Sequence, residues 1–305
     1  MDLARHRTAR QGRFPGRTAA VGLALVGLIL SGGAAPADAV PKAAAPTWRV
    51  VWTDDFTGRA GTLPDASRWQ IDTGYGYPGG AENWGTGEIE YASVDSANVG
   101  LDGWGDLAIT ARRNGNGDWL SGRLETRRAD FAPPAGGSVR FEARIQLPDG
   151  GQGYWPAFWA LGAPFRPSNT NWPGAGEIDV MENINGQSTV HGTLHCGRVE
   201  SGGPCHEDTG LTGAVRLARP GGFHTYAVVW ETNPAQLTWY VDGQAYWTVR
   251  STTVGAATWR GTFGHGYFLL LDLAIGGSWA GPPGVTTRSG ASMLVDYVSV
   301  ATRSA

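Results

Sequence analysis

Apolar and polar residues alternate along most of the chain after residue 48, in short runs that have the two-residue period of a β-strand. These runs predict strands at residues 49–52, 106–111, 138–146, 224–230, 237–241, 244–249 and 293–300. Asp242 and Gly243 separate two of these runs, and Asp-Gly is a strong signal for a two-residue hairpin turn. Helical periodicity never persists over three turns. The pattern therefore predicts an all-β protein.

Length and composition narrow the fold further. The chain has 305 residues, and 41% of them are hydrophobic, which is enough to bury a core. It contains 47 glycines, which disfavour helices and suit a protein with many turns. Residues 48–300 contain no linker, repeat or low-complexity block, so we expect a single domain. Many short strands in one domain of this size predict a β-sandwich of the jelly-roll type.

The N-terminal segment has the order of a secretory signal peptide. Five arginines precede an apolar run at residues 19–30, and small residues then lead to Ala37-Asp38-Ala39. We predict a signal peptide at residues 1–39, a short disordered lead-in at 40–47 and the folded domain at 48–305. The apolar run is short for a membrane span, although a retained N-terminal anchor is the alternative. We expect a secreted, extracellular protein with no membrane association after cleavage.

Charge and cysteine content exclude some classes of partner. The net charge of −3 argues against a nucleic-acid-binding protein, which needs a basic patch or stripe. Two cysteines, Cys196 and Cys205, lie nine positions apart. In an exported chain this spacing indicates a disulfide that closes a loop. The alternative is a metal site with His195 and His206, but it lacks the usual close spacing of metal ligands.

Three carboxylates lie close together in the segment from Gly176 to Asn183. The apolar residues between them predict a strand, in which Glu177 and Asp179 face the same side. Glu182 joins them only if a β-bulge absorbs one residue, and we assign that residue as Met181. Carboxylates this close repel one another, so one must hold a proton. A solvated acidic strand is the alternative, but the tryptophan-rich surroundings favour glycoside hydrolysis, which uses two carboxylates.

The carboxylate segment, 176–182, resembles the signature of glycoside hydrolase family 16 in its bulged Glu-x-Asp-x-x-Glu form, typical of laminarinase-type endo-β-1,3-glucanases. Other segments resemble family landmarks in family order, namely 153–162, 192–195, 223–226, 239–243, 273–279 and 295–298. The resemblance implies a concanavalin A-like lectin/glucanase sandwich and makes 48–305 the catalytic domain. It further implies a retaining mechanism, with Glu177 as the nucleophile, Glu182 as the general acid/base and Asp179 tuning their protonation.

The same resemblance implies a set of substrate-binding residues. They are Trp172, His195, Trp279, Arg140, Asn83 and Glu88, and we add Trp155 as a further candidate from its position in the chain. Trp155 and Trp159 are four residues apart in a predicted strand and so face the same side. Core packing remains the alternative for these two tryptophans, and a structural role remains the alternative for His195.

We expect no cofactor for the chemistry, while the resemblance allows a structural calcium ion with Asp296 as one ligand. The loop between the two cysteines is not general to the family, so the wall of the cleft that follows His195 is expected to be unusual. The expected partner is a β-glucan, and the expected assembly is a monomer. The open alternatives are mixed-linkage β-1,3-1,4-glucan or β-1,3-galactan as substrate, transglycosylation, and a non-catalytic β-glucan-binding lectin.

Overall fold

The computed structural model describes residues 47–199, 202–285 and 287–305. The predicted signal peptide and residues 40–46 of the lead-in lie outside the described residues. Within the described ranges, no helix combines the length and the apolar content that a membrane crossing requires.

The described residues form seventeen strands and three short helices. The strands are β1 (Arg49–Asp54), β2 (Trp69–Ile71), β3 (Tyr91–Ala92), β4 (Val99–Leu101), β5 (Leu107–Arg113), β6 (Trp119–Ser121), β7 (Arg123–Thr126), β8 (Ser138–Gln146), β9 (Tyr154–Gly162), β10 (Glu177–Glu182), β11 (Thr189–His195), β12 (Leu211–Arg216), β13 (Phe223–Thr232), β14 (Ala235–Val241), β15 (Gln244–Arg250), β16 (Tyr267–Ile275) and β17 (Ala291–Arg303). The helices are α1 (Ser251–Val254), α2 (Ala256–Phe263) and α3 (Gly277–Ala280). Short 3₁₀ turns occupy Glu82–Gly85 and Ala163–Phe165.

Two sheets pack face to face. The larger sheet has ten strands in the order β15-β14-β13-β8-β17-β5-β6-β3, with β1 beside β17 and β4 beside β5. The smaller sheet has seven strands in the order β12-β11-β10-β9-β16-β7-β2. Neighbouring strands are antiparallel throughout the smaller sheet. This arrangement confirms the predicted jelly-roll β-sandwich.

The main core lies between the two sheets. Alternate residues of β8, beginning with Val139 and Phe141, are buried and face the smaller sheet, while Arg140 and Glu142 face outward. The strand β16 is buried along its whole length, because one side faces this core and the other side lies under a second apolar cluster. That second cluster includes Leu161, Phe268 and Leu270, and Trp159 and Trp172 pack against it.

The local predictions hold where the pattern was strongest. The predicted strand at residues 138–146 matches β8, and the other predicted strands lie within β1, β13, β14, β15 and β17, or overlap β5. Asp242 and Gly243 both have positive φ angles, 49° and 74°, and connect β14 to β15 as the predicted hairpin turn. The longest helix in the described residues has eight residues, in agreement with the absence of helical periodicity.

Candidate active site

The strand β10 carries the three predicted carboxylates and contains the predicted bulge. Its pairing with β9 shifts register between Asp179 and Met181, which leaves Val180 without a partner on that side. The extra residue is therefore Val180 and not Met181, a correction to the sequence-based assignment. Both side chains are buried in the core. Glu182 consequently returns to the outer side of the sheet with Asp179 and Glu177.

Two contacts fix the backbone of this strand. The indole N–H of Trp239, on the opposite sheet, donates a 2.8 Å hydrogen bond to the backbone carbonyl of Asp179, at the start of the bulge. At the strand's beginning, Gly176 has φ +78°, and a Cβ there would overlap the hydroxyl of Tyr267 and lie 2.6 Å from Thr262 Cγ2. Only glycine fits this position without displacing Tyr267 and Thr262.

The strand registers show which residues share the outer side of the seven-stranded sheet with the carboxylates. Asp179 is paired with Thr193 on β11 and with Trp159 on β9, and Glu177 is paired with His195. On the next two strands of the same sheet, Asp272 on β16 pairs with Arg123 on β7. Residues paired in register face the same side of a sheet. We call this side the carboxylate face and define it by the outward side chains of β7, β9, β10, β11 and β16.

Glu177 lies between an indole and an imidazole. Its Oε2 accepts a 3.2 Å hydrogen bond from the Trp172 indole N–H, and its Oε1 lies 3.8 Å from His195 Nε2. Burial raises the pKa of Glu177, while the charges of His195 and Arg123 and the Trp172 hydrogen bond oppose that shift. These three stabilising contacts favour the ionised form that a nucleophile requires.

Glu182 has a different set of partners. Its Oε1 accepts a 3.0 Å hydrogen bond from the Trp155 indole N–H, and its Oε2 accepts one of 3.3 Å from the Thr193 hydroxyl. Burial raises the pKa of Glu182 to about 7, although His195 and the Trp155 hydrogen bond act in the opposite direction. A carboxylic acid with this pKa can hold its proton near neutral pH and give it up when a stronger base forms.

Asp179 lies between the two glutamates and is 4% exposed. Its Oδ2 lies 3.4 Å from His195 Nε2 and has no hydrogen bond within the described residues. Burial raises the pKa of Asp179 well above its usual range, and the charges of Glu182 and Glu177 raise it further. Asp179 is thus the member of the three that most strongly favours its protonated form.

His195 is the titratable base that faces these carboxylates, and its protonated form supplies a positive charge there. Its Nδ1 lies 2.7 Å from Oε2 of Glu207, whose side chain is completely buried. Burial lowers the pKa of His195, but the hydrogen bond to Glu207 and the charges of Glu177, Glu207 and Glu182 outweigh it, so that the net shift is upward. The Trp172 ring lies 5.3 Å from the imidazole ring, between centroids.

A second charged group follows on β16 and β7. Asp272 Oδ1 accepts a 2.6 Å hydrogen bond from the Trp159 indole N–H. Burial raises the pKa of Asp272 to about 7, with Arg123 opposing the shift and Glu88 adding to it. The Arg123 guanidinium lies 4.8 Å from the Trp159 ring centroid and 4.4 Å from that of Trp84.

Aromatic side chains form a wall beside Glu182. The Trp279 ring, on α3, lies 5.5 Å from the Trp155 ring and 4.9 Å from the His191 ring, each at a steep angle. Trp279 is 39% exposed, so a flat apolar surface remains available to a ligand. Burial lowers the pKa of His191, which therefore favours its neutral form.

The arrangement is suited to acid–base and nucleophilic chemistry at one bond. It offers a protonatable Glu182, a Glu177 stabilised as a carboxylate and aromatic surfaces for a ring-shaped ligand. Ligand atoms of Glu177, Asp179 and His195 lie within 4.8 Å of one another, and they are the one such set of three in the described residues. We assign this set to acid–base chemistry because His195, whose pKa is raised, faces both carboxylates there.

Comparisons with known proteins agree with this geometry. The profile of the XgeA-like, catalytic GH16 domain matches residues 141–213, which include all three carboxylates. The β-glucanase of Rhodothermus marinus is 33% identical over 273 residues, which cover 84% of this chain and 86% of that protein. This chain belongs to glycoside hydrolase family 16. It is an enzyme that hydrolyses O-glycosidic bonds, and its similarity is to the laminarinase type.

Two further relatives support the family 16 assignment. The crystal structure of the endo-1,3-β-glucanase from Streptomyces sioyaensis is 47% identical, with a TM-score of 0.82, and the match covers 87% of this chain and all of that one. Glucan endo-1,3-β-glucosidase A1 of Niallia circulans is 32% identical over 276 residues, or 82% of this chain. The family 16 chain spans 37% of the length of that second relative.

Most of the predicted site residues of the family 16 enzyme lie on the carboxylate face or at its edge. Trp172, Trp155 and His195 contact the carboxylates directly, and Trp279 contacts Trp155. Trp155 is accordingly not a core residue, the alternative left open above. Their roles in binding substrate stay predictions.

Asn83 lies within the 3₁₀ turn at Glu82–Gly85, and Glu88 follows that turn on the way to β3. Asn83 is exposed and has a positive φ of 50°. Glu88 is buried, accepts a 2.5 Å hydrogen bond from the Thr86 hydroxyl and pairs through its backbone with Gly276, just before α3. Glu88 therefore contributes charge near Asp272, while Asn83 is free to contact a ligand from solvent.

Arg140 is the predicted site residue that the structure places elsewhere. It lies on β8 of the ten-stranded sheet, on the side that faces away from the smaller sheet, and forms an ion pair with Glu142. Val139 and Phe141 occupy the core side of β8, so Arg140 faces outward, but β8 belongs to the sheet that does not carry the carboxylates. Arg140 is therefore corrected to a residue of the opposite surface.

Asp296, the predicted calcium ligand, lies on the same outer surface as Arg140. Its carboxylate forms an ion pair with the Arg144 guanidinium. A carboxylate that already faces a cation does not fit a calcium site by itself, so we derive no role for calcium. The disulfide prediction is confirmed, since Cys196 and Cys205 are bonded and both are completely buried.

Three charged residues near the site escaped the sequence analysis. Asp272 lies in the middle of an apolar run, 267–275, and a single carboxylate in a buried strand is itself an unusual signal. Arg123 begins a short strand and shows no distinguishing pattern. Glu207 follows Cys205 by two residues. Because the predicted disulfide joins Cys205 to Cys196, next to His195, this position is a sequence signal that Glu207 lies near His195.

Proposed function

We propose that this family 16 enzyme is a secreted, retaining endo-β-1,3-glucanase that cleaves laminarin-like glucans within the chain. The observation that carries the proposal is the division between Glu177 and Glu182 on one strand. Burial raises the pKa of both groups, but Glu177 lies 3.8 Å from His195 Nε2 and receives an indole hydrogen bond, whereas the pKa of Glu182 rises to about 7. The two groups thus differ in the way that a nucleophile and a general acid must differ.

In the first step, Glu182 protonates the oxygen of the bond to be cleaved while a carboxylate oxygen of Glu177 attacks the anomeric carbon. The bond from that carbon to the leaving oxygen breaks, and a glycosyl ester on Glu177 forms. The leaving chain departs with the proton from Glu182. The Trp172 N–H, bonded to Glu177 Oε2 at 3.2 Å, helps to hold the attacking carboxylate in one orientation.

In the second step, Glu182 is ionised and accepts a proton from a water molecule, whose oxygen attacks the same carbon. The ester bond to Glu177 breaks, and the sugar leaves with the configuration it had at the start. The Trp155 and Thr193 donors, at 3.0 and 3.3 Å, stabilise Glu182 as a carboxylate during this half of the cycle.

Asp179 supports both steps through its proton. Its Oδ2 faces His195 Nε2 at 3.4 Å, and its neighbours on the strand are the two glutamates. With its pKa raised well above the usual range, Asp179 stays protonated and avoids adding a third negative charge. When Glu177 becomes esterified and loses its charge, the repulsion falls, so the proton affinities of the remaining carboxylates change together.

The substrate proposal draws on the relatives and on the aromatic surfaces. The Streptomyces sioyaensis and Niallia circulans proteins are named as enzymes of 1,3-β-glucan, and the Rhodothermus marinus protein as a β-glucanase. Trp172 and Trp279 offer flat apolar faces on the two sides of the carboxylates, which suit the faces of pyranose rings. Mixed-linkage glucan is the second candidate, because the endo-1,3-1,4-β-glycanase EglC of Rhizobium meliloti is 37% identical over 193 residues.

Export is part of the proposal. The disulfide, formed by two buried cysteines, supports an oxidising compartment, where such bonds form and persist. The signal-like sequence at residues 1–39 supports the same destination.

A reducing-sugar assay on laminarin, lichenan, barley β-glucan and β-1,3-galactan tests the proposed substrate. We expect the highest kcat/KM on laminarin, with oligosaccharides of several lengths as early products, as internal cleavage requires. Preference for lichenan or barley glucan would replace the 1,3-glucan proposal by the mixed-linkage one. Binding of laminarin without release of reducing ends would support the lectin alternative, and long products from short oligosaccharides would indicate transglycosylation.

A further inference from the structure

Glu207 has no assigned function, yet its carboxylate is completely buried beside the carboxylate face. One carboxylate oxygen lies 2.7 Å from His195 Nδ1, and the other accepts a 2.8 Å hydrogen bond from the backbone N–H of Cys196. Both oxygens therefore have a partner, and both partners lie at the end of β11. A buried carboxylate with two such bonds is fixed in orientation and holds its partner in turn.

The disulfide explains how a loop residue reaches this position. Cys196 directly follows His195, and its bond to Cys205 closes a loop of nine positions. Glu207 comes two residues after Cys205, so the cross-link keeps it near the strand end that carries His195. Without the cross-link, the chain would lose more conformational entropy when Glu207 is fixed beside His195.

The chain after Glu207 closes the other side of the imidazole. Gly210 has φ +71°, and a Cβ at that residue would lie 2.8 Å from His195 Cε1 and would overlap the methyl group of Thr193. The loop thus packs directly against the ring. Glycine at residue 210 allows this close approach, which a larger residue would prevent.

We propose that Glu207 is a positioning residue for the glycosidase reaction. The carboxylate of Glu207 accepts a hydrogen bond from Nδ1–H of His195, and this contact directs His195 Nε2 at Glu177 and Asp179. The charge of Glu207 also keeps the imidazole in the cationic form. The role rests on the proposed function, because the benefit is to the ionised Glu177. His195 Nε2 in turn lies 3.8 Å from Glu177 and 3.4 Å from Asp179.

The charges around His195 explain why a buried partner is needed. Glu177, Asp179 and Glu182 face it from β10, and Glu207 faces it from the segment just after Cys205. Trp172 and the residue Gly210 before β12 contribute no charge. Burial alone lowers the pKa of His195, so removal of the Glu207 charge moves its titration to lower pH. The imidazole then becomes neutral within the working pH range, and Glu177 loses its counter-charge.

Glu207→Gln tests the proposal, with Asp208→Asn as the matched control. Both substitutions replace a carboxylate by an amide, but Asp208 is exposed. For Glu207→Gln on laminarin we expect kcat to fall by about 10- to 100-fold with KM little changed, as for other residues that orient a functional side chain. The pH optimum should move to lower values, where His195 keeps its proton. Asp208→Asn should retain the parent's kcat and pH profile. Glu207→Asp, which keeps the charge, should recover part of the activity.

A direct measurement on the imidazole separates positioning from simple stabilisation. In ¹⁵N-histidine NMR of the parent, we expect His195 Nδ1 to carry a proton at the optimum pH, and the pKa of His195 to fall in Glu207→Gln. A Glu207→Gln enzyme with the parent's kcat, or one that only melts earlier while its pH profile is unchanged, overturns the proposal. If the variant does not fold, the parent spectrum still decides, because an unprotonated Nδ1 contradicts the proposed contact. A parent that is inactive on laminarin refutes the proposed function and leaves this NMR test intact.

Discussion

The outer surface of the ten-stranded sheet differs from strand β10 of the seven-stranded sheet in how its carboxylates are paired. On the ten-stranded sheet, charges occur as neighbouring ion pairs, namely Arg140 with Glu142, Arg144 with Asp296 and Arg303 with Glu231. On the seven-stranded sheet, three carboxylates of one strand share a single imidazole, and their pKa values are raised by burial. The first surface neutralises its charges locally, whereas the second keeps an excess of buried carboxylates.

This difference separates structural charges from functional ones. Partly exposed ion pairs such as Arg144 with Asp296 contribute little to stability, since solvent screens them. Buried carboxylates that repel one another destabilise the folded state, and such groups are found mainly where chemistry needs a shifted pKa. Residues on the carboxylate face should therefore affect activity strongly, and those on the opposite surface should not.

The largest effect is expected for Glu177→Gln. Loss of the nucleophile should lower kcat on laminarin by at least about a thousandfold, because no glycosyl ester can form, while oligosaccharide binding and folding persist. Arg140→Ala, on the opposite surface, is the control and should keep the parent's activity. A Glu177→Gln enzyme within tenfold of the parent, or an Arg140→Ala enzyme as impaired as Glu177→Gln, would break the comparison between the two surfaces.

The pH dependence of kcat/KM should follow the two glutamates. Burial raises the pKa of Glu177 above its usual value, so activity should rise with pH as Glu177 ionises. Glu182, with a pKa of about 7, must be protonated, so activity should fall by about tenfold per pH unit well above that value. Glu182→Gln should lose the alkaline limb and should act mainly on aryl glycosides whose leaving groups need no proton. An alkaline limb that persists in this variant would assign it to another group.

Trp172→Ala should have an intermediate effect. Removing a stacked indole should weaken laminarin-oligosaccharide binding by about 1–3 kcal/mol. It also removes the 3.2 Å hydrogen bond to Glu177, so kcat should fall as well. The melting temperature should change little, because Trp172 is only partly buried. Calorimetry on the same sample would contradict this if it showed unchanged affinity together with a loss of about 3–5 kcal/mol in stability.

Asp179→Asn should change the melting temperature by an amount that depends on pH. The pKa of Asp179 is raised in the folded state, so its contribution to stability is present below the unfolded value and is lost as pH rises through the folded one. The substitution should therefore raise the melting temperature at about pH 8 by a few degrees and give no gain near pH 4. A variant that melts lower than the parent at pH 8 would show that the Asp179 carboxylate stabilises the folded state there, contrary to this prediction.

Local sequence patterns were sufficient for the parts of the fold that depend on near neighbours. The alternation in β8 and the Asp242-Gly243 turn follow from steric rules that act over a few residues. The bulge in β10 was predicted because Glu182 could reach its neighbours in no other way. The identity of the extra residue, Val180, depends on pairing with β9, which a single strand cannot reveal.

The residues that were missed or misplaced depend on contacts between distant segments. Arg140 was expected at the site, but the sequence of β8 shows only that it lies opposite the core and not which sheet contains it. Glu207 lies beside His195 because the disulfide joins Cys205, two residues before Glu207, to Cys196, which directly follows His195. Asp272 is recognised as part of the site only once β16 is placed beside β9.

Trapping the covalent intermediate tests the central claim most directly. A laminaribiosyl fluoride with fluorine at carbon 2 of the reacting sugar slows hydrolysis of the glycosyl ester, so the labelled enzyme can be digested and its peptides analysed by mass spectrometry. The account predicts one sugar per chain, attached to Glu177, and no label in the Glu177→Gln variant. A label on Glu182 or Asp179, or an active parent enzyme that never becomes labelled, would contradict the assignment of the nucleophile.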